Sequence, residues 1–496
     1  MSRRQIVFLM TDTQRWDMLG CYGHPAMKTP HLDRLASQGM RFDRAYTCQP
    51  VCGPARAALF TGTWPHNNGS WSNGLALGAY TRHLGQLLAP AGIHAAYIGK
   101  WHLDAFDYFG RGEAPEGWDP GYWYDMRMYL EELSPEDRRR SRETATNRDP
   151  RLTAEFTFAH RCSDRAMGFL ADHADEDFCL VVSYDEPHHP HLCPEPYASM
   201  YRDYQWPKPP NVRDPLTNKP EHQRVWSSHF SPRDPDKLVL RPADFLGCNS
   251  FVDLEIGRVL AAIDRYTPGA LVIYTSDHGE AMASHGIWGK GPVVYDEVTR
   301  IPMIVRWPGQ TPAGTVCAHL ASHIDVVPTL LEAMNLKIPR FLEGVSMLAT
   351  LRDPTRRSRD AVFMEFGRYE VSADAFGGFQ PTRAIFDGRY KLAIHLLSGD
   401  EMYDIEADPW EMNNLIDSPA HVTIRNRLHD RLLAWMNESV DPFRGYYWER
   451  RPWRVDAAPA SWAYTGMCRQ PEPDADEKRE LSYDTGLEYD VGTRRR

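Results

Sequence analysis

The 496-residue chain carries 56 Lys and Arg against 67 Asp and Glu, a net charge of −11, and 42% of it is hydrophobic. That composition supports a sizeable core and excludes non-specific binding to nucleic acid, whose phosphates call for a basic surface. Nine scattered cysteines without a CxxC pair exclude a disulfide framework and a zinc ribbon, and no stretch approaches the roughly 20 apolar residues of a membrane span.

The chain opens on MSRRQIVFLMTDTQ. Its two arginines precede an apolar run, but Ile6 to Met10 is too short for a signal peptide and Asp12 ends it. A cytoplasmic enzyme, without a membrane or nucleic-acid partner, is the expectation. QIVFLMTD reads as a buried strand with Asp12 at its carboxyl end. TPHLDRLASQG reads as a helix opened by Thr29-Pro30 and closed by Gly39. HAAYIGKWHL is a second strand, DFCLVVSYDEPHHPH a third, GALVIYTSDHGE a fourth and TRIPMIVRWPG a fifth. Helical patterns such as CNSFVDLEIGRVLAAIDRY separate them. This alternation predicts an α/β fold, a large mixed but mostly parallel sheet flanked by helices.

In such sheets, sites lie outside the carboxyl ends of the strands. Asp12, Lys100, His102, His188, Asp277 and His278 all fall there. Residues 111–150 and 201–236 read as insertions around the mouth of the site. After Leu351 the texture becomes antiparallel, with turns at Asp387-Gly388 and Ser398-Gly399. We therefore divide the chain into a catalytic domain over 1–350, a smaller α+β domain with an antiparallel sheet over 351–440, and an extended arm over 441–496.

CQPVCGPARAALFTG, from Cys48 to Gly62, carries the most specific signal. Good helix formers follow Cys52, and Pro54 suits a first helical turn. Cys52 would thus stand at a helix N-terminus, where free amides favour an anion. Arg56, one turn on, would hold that anion or Cys52 itself. A Cys and an Arg alone also fit an inert thiol before an ordinary helix. Asp12, Asp277 and His278 suit a divalent cation, and equally suit a capping acid and a common turn. Lys100 and His102 in GKWHL, His188, His189 and His191 in EPHHPH, and Lys290 in HGIWGKG offer cations and acids for an anionic ester.

Cys52-Gly53-Pro54-Ala55-Arg56 fits C-x-P-x-R, and with Leu59 to Gly62 it resembles the type I sulfatases of the alkaline phosphatase superfamily. DEMYDIEADPWEMNNL resembles their C-terminal strand and helix start. The tail, with RPWR and YDTGL, resembles bacterial sulfatases of the YidJ type. The resemblance implies an alkaline phosphatase-like fold and a sulfuric ester hydrolase. It implies that a formylglycine-generating maturation enzyme oxidises Cys52 to formylglycine, with Pro54 and Arg56 in the recognition signal. One divalent ion follows, held by Asp12, Thr13, position 52, Asp277 and His278. Calcium is the expected ion, with manganese or magnesium as alternatives. Thr13 departs from the family, which has an acid there, and this removes a negative charge.

By the same resemblance Asp277 is the base for an attacking hydroxyl of hydrated formylglycine. His188 and Lys290 serve the leaving alcohol, His102 the second hydroxyl, and Lys100 and Arg56 balance charge. The substrate is a small sulfated carbohydrate. Lys100, His102, His188 and Lys290 bind its sulfate, while Trp71 in NNGSWSNG and His189 contribute to its specificity. Phe366 to Glu370 (FGRYE) is a second candidate wall of a sugar pocket. A phosphonate monoester or phosphodiester hydrolase with the same formylglycine is the alternative, favoured by Thr13 and His278 and opposed by Lys100 and His102. A homo-oligomer is compatible with all of this.

Overall fold

The apolar runs of the sequence become the strands of one sheet: β1 Gln5–Thr11, β2 Met40–Tyr46, β3 His94–Gly99, β4 Phe178–Ser183, β5 Leu271–Ser276, β6 Arg300–Arg306 and β7 Thr315–Ser322. This computed structural model describes residues 3–105, 108–230, 238–370, 378–458 and 485–487. The strand order is β3-β4-β1-β5-β6-β2-β7. β1 pairs in parallel with β4 and β5, β3 with β4, and β2 with β7. β6 alone runs antiparallel to its neighbours, as register with β5 and β2 shows.

Alternation along β1 explains why both faces are covered. Ile6, Phe8 and Met10 join one buried cluster with Phe60, Tyr97, Trp101 and Trp123. Val7 and Leu9 join the other with Phe169, Leu180, Phe251 and Ile256. A strand with period-two side chains and no polar face fits only between two layers of helices. Helices Phe158–Asp172 and Ala243–Tyr266 cover the second face. The helix α1 Pro30–Gln38 has Pro30 in its first turn and Gly39 after its last, as its sequence predicts.

β2 and β7 are strands the sequence reading passed over. Neither has the continuous apolar run of a buried parallel strand. β2 alternates Arg41, Asp43 and Arg44 with Met40, Phe42 and Ala45, and its charged face is half-buried. β7 begins at the sheet edge, with exposed residues in its first half.

The second sheet has the order β11-β10-β9-β8, from β8 Val362–Phe366, β9 Thr382–Phe386, β10 Tyr390–His395 and β11 Glu401–Asp404, all antiparallel. Gly388, at φ +96°, turns β9 into β10, and Asp387 Oδ1 accepts the N–H groups of Arg389 and Tyr390. Ser398-Gly399 lies between β10 and β11. The helix Val422–Glu438 packs on this sheet, and its core is continuous with Cys48, Ala58, Trp64 and Ile324 of the large sheet's side.

Between 441 and 458 the chain packs on the second sheet. Arg451 bonds Asp400 at 2.8 Å, and Trp453 Nε1 donates to the same carboxylate at 2.8 Å. Of the expected arm, 459–484 and 488–496 lie outside the described residues, as do 231–236 of the second insertion. The first insertion sends Trp118 and Trp123 into the core and brings Arg142 to 3.8 Å from Asp185. The second packs Tyr201, Trp206 and Val212 against Phe245 and Met282.

Candidate active site

Four parallel strands, β3, β4, β1 and β5, deliver their carboxyl ends to one edge, and the chain turns there into Lys100, Asp185, Asp12 and Asp277. Across from them α2, Cys52–Thr61, begins at Cys52 and is buried along its whole length. Its sequence is apolar or small on every side except Arg56, which suits a helix with no solvent face. Asn73 Oδ1 accepts the Gly53 N–H at 2.9 Å, so one otherwise orphaned amide of the first turn is bonded within the protein.

The Cys52 sulfur is the meeting point. Its Sγ lies 3.2 Å from His278 Nε2, 2.9 Å from Lys290 Nζ and 3.8 Å from Asp12 Oδ1. Donor atoms of Asp12, Cys52, Asp277 and His278 all lie within 4.8 Å of one another, and all four residues are buried. His278 Nδ1 donates to the Gly279 carbonyl at 2.8 Å, so Nε2 is the ring nitrogen that faces the group. Two carboxylates and one imidazole lone pair fit a divalent cation.

Arg56 spans the group from below. Nε donates to Asp277 Oδ2 at 3.1 Å and Nη2 to Asp12 Oδ2 at 3.0 Å. Nη1 donates to the Lys100 carbonyl and to Ser183 Oγ, both at 2.7 Å. Lys100 Nζ lies 2.8 Å from Asp12 Oδ2 and 3.0 Å from Asp185 Oδ1. Burial alone would raise the Asp12 carboxyl, but Lys100, Lys290 and Arg56 hold it well below the usual range. Burial and the Asp12 charge push Asp277 up to about 6 against the pull of His278 and Arg56. Burial also raises the Cys52 thiol, yet Lys290, Lys100 and His278 bring it well below its ordinary value. Two mutually repelling carboxylates beside a stabilised anion make a site for cations.

Thr13 stands at φ +63°, a left-handed conformation that a β-branched residue adopts at a cost of about 1–3 kcal/mol. Its N–H donates to Asp277 Oδ1 at 3.0 Å and its hydroxyl to Asp12 Oδ1 at 2.6 Å. The strained backbone thus lets one residue bond both carboxylates. His102 is also left-handed, at φ +57°, and buried beside Cys52, with its Nδ1 unpartnered. Burial lowers its pKa.

A cavity of about 390 Å³ opens beside this group. Thr13, His188, Lys290 and Tyr369 line it together with His189, His191, Arg241, Phe245 and Trp288. Lys290 therefore faces both Cys52 and the cavity. Trp71 is 37% exposed, packs on Gly367 and does not line this cavity. The other asparagines of its segment serve the fold: Asn67 bonds Glu343 and Asn68 the Thr63 carbonyl.

Residues 4–336 match the family model described as Sulfatase, and residues 283–438 match one described as N-sulphoglucosamine sulphohydrolase, C-terminal. The chain belongs to the sulfatase family. It is 43% identical over 495 residues to the uncharacterized sulfatase YidJ of Escherichia coli (strain K12), covering 98% of this chain and 97% of that one. A solved structure in complex with its substrate D-glucosamine-2-N,6-O-disulfate superposes with a TM-score of 0.74 at 23% identity, covering 89% of this chain and 99% of the other. The phosphonate monoester hydrolase of Agrobacterium radiobacter superposes with a TM-score of 0.72 at 22% identity, covering 88% and 96%. The fold is therefore common to both reaction classes, and family membership makes this sulfatase a sulfuric ester hydrolase.

Three further residues, Asp185, Tyr108 and Tyr369, join the candidate site. Asp185 pairs with Lys100, and Tyr108 OH donates to Asp185 Oδ1 at 2.6 Å while standing 3.1 Å from His188 Nδ1. Tyr369 reaches the cavity because Asn73 pairs with the FGRYE segment. Asp185 was visible only as an acid at a strand end beside the histidines. Tyr369 belongs to the FGRYE segment read as a candidate wall of a sugar pocket, and nothing local marks Tyr108.

Proposed function

We propose that this sulfatase hydrolyses a sulfate monoester of a small sulfated carbohydrate, with Cys52 converted to formylglycine and a divalent ion held by Asp12, Asp277 and His278. One observation carries the reading: the Cys52 sulfur lies 3.2 Å from His278 Nε2 and 2.9 Å from Lys290 Nζ, and Lys290 also lines the large cavity beside the group. When present, the hydrated aldehyde supplies a nucleophilic hydroxyl, and the cation lowers that hydroxyl's pKa and polarises the ester.

The chain's own residues supply the rest. Asp277, raised toward neutrality, is suited to take a proton from a hydroxyl at position 52. Lys290 meets the ester's non-bridging oxygens from the cavity side, and His188 stands in the wall where a leaving alcohol would need a proton. His102 is buried and kept neutral, as a base for a second hydroxyl must be. Arg56 and Lys100 orient Asp12 and Asp277 and offset their charge. Thr13 aligns the two carboxylates from a position where it adds no charge. Calcium is favoured by the two carboxylates; the single imidazole also suits manganese. A half-buried Trp288 beside Phe245 gives the cavity an apolar platform for a sugar ring. The sulfated sugar bound to the structural relative, and the N-sulphoglucosamine sulphohydrolase match, support the same class.

The neutral Thr13 beside Asp12 also suits a phosphonate monoester, so the test separates the two. Protein made with a formylglycine-generating enzyme is digested, and the tryptic peptide Ala45 to Arg56 is sequenced by mass spectrometry. Conversion at Cys52 with Cys48 intact is expected. The converted protein is then expected to turn over aryl and sugar sulfates faster than phosphonate monoesters. Unconverted Cys52 under these conditions sinks the mechanism, and the reverse substrate order sinks the sulfate preference.

A further inference from the structure

A second group of potential ligands stands at the opposite end of the sheet. His94 opens β3, His173 caps the helix Phe158–Asp172, and Glu176 lies in the turn that leads into β4. β3 is six residues long, so His94 is about 20 Å from the Lys100 end. Glu176 Oε2 lies 3.0 Å from His94 Nδ1, and its Oε1 lies 3.0 Å from His173 Nδ1. One donor atom from each of the three residues fits within a 4.8 Å span.

The surroundings fix these rings. His94 Nε2 stands 2.6 Å from Asp119 Oδ2 while Nδ1 faces Glu176 Oε2 at 3.0 Å, so with an ion on Nδ1 the ring proton would sit on the Asp119 side. The His94 and His173 rings meet edge to face at 4.4 Å. Phe169 packs on both, and Tyr122 packs on His173 while its hydroxyl donates to Asp172 at 2.8 Å. The turn is tied down too, since Gln5 Nε2 donates to the Ala174 and Glu176 carbonyls. A preorganised pair of imidazoles with an intervening carboxylate, one ring oriented by a second acid, is the arrangement of a nitrogen-rich transition-metal site.

We propose that His94 Nδ1, His173 Nδ1 and Glu176 bind a zinc-class divalent ion, with Asp119 as the positioning residue. Two nitrogens favour such a borderline ion over calcium, and a tetrahedral site at about 2.0–2.1 Å from each donor needs ligand spacings close to those present. The half-exposed Glu176 leaves the fourth position to water, open to solvent and remote from the ester-hydrolysing group. The ion would staple the start of β3 to the turn before β4, a structural role that leaves turnover alone.

The test uses the full chain without a metal-binding tag. Wild type, His173→Gln and Glu176→Gln are dialysed against Zn²⁺ at a free concentration of about 0.1 mM, and zinc per chain is counted. Wild type is expected to hold one more zinc than either variant, and the difference separates this site from the catalytic donors. Glu176→Gln, at a half-exposed position, covers any failure of His173→Gln to fold. Asp119→Asn is expected to weaken the extra zinc about 10–100-fold. Equal zinc content in wild type and both variants overturns the proposal and leaves His94 bonded between the Glu176 and Asp119 carboxylates.

Discussion

The two ends of the same parallel strands solve one problem in opposite ways. At the carboxyl ends Asp12, Asp277 and His278 are buried completely, and Arg56, Lys100 and Lys290 are built in around them. At the amino ends His94, His173, Glu176 and Asp119 stay partly wet, and among the described residues no Lys or Arg pairs with either acid. Burying a carboxylate costs several kcal/mol, so the carboxyl end has fixed cations in place beside its acids. The amino end leaves that compensation to water and imidazoles. The lesson is that similar donor sets differ in what surrounds them, and the surroundings set how much each substitution does.

The largest effect falls on turnover. Cys52→Ala removes the one side chain at the meeting point and is expected to lower sulfate-ester hydrolysis by at least about 10⁴-fold, as loss of a nucleophile does elsewhere. His173→Gln is expected to leave turnover at the wild-type rate. Steady-state kinetics on one aryl sulfate checks both, and residual activity near wild type in Cys52→Ala would break the contrast at its root.

Next in size is stability. Arg56→Ala leaves Asp12 and Asp277 buried without their shared partner, and breaking such a pair costs about 3–5 kcal/mol. Asp119→Asn, at a partly exposed ion pair, is expected to cost at most about 1 kcal/mol. Urea unfolding of the two variants beside wild type measures the difference. Equal shifts in midpoint would mean that the buried cations carry no more than the exposed ones.

The strand-end acids were legible because a buried parallel strand reads as an apolar run, and its last residue is forced to one edge. Asp12 and Asp277 follow from that rule, and Cys52 from its helix-forming sequel. β2 was not legible, because Arg41 lies over the Tyr22 ring and Arg44 Nη1 donates to the Gly388 carbonyl, contacts no local pattern announces. The reversed direction of β6 was hidden as well, since an apolar run has no polarity in its composition. Tyr108 and Asp185 join the site through tertiary placement alone. The His94 group escaped notice because its members lie far apart in sequence, and each reads singly as an ordinary surface histidine or acid.

A pH-dependent effect tests the carboxyl-end edge through a buried acid that has no cation of its own. Glu186 follows Asp185, and its Oε1 accepts the Ala159 N–H at 3.0 Å while Oε2 is buried without a partner. Burial and the Asp185 charge push its pKa up to about 8. The folded state therefore keeps a proton that the unfolded chain releases near its ordinary value of 4.5. Stability from this group is present in full below that unfolded value and is lost as the pH climbs to about 8, at no more than about 1.4 kcal/mol per pH unit. Glu186→Gln keeps the shape and cannot ionise. It is expected to match wild type near the acid end of this window and to exceed it in unfolding midpoint at the alkaline end. Parallel midpoint curves across that window would show that Glu186 is already ionised and has a counter-charge, and the catalytic edge would then compensate every one of its acids.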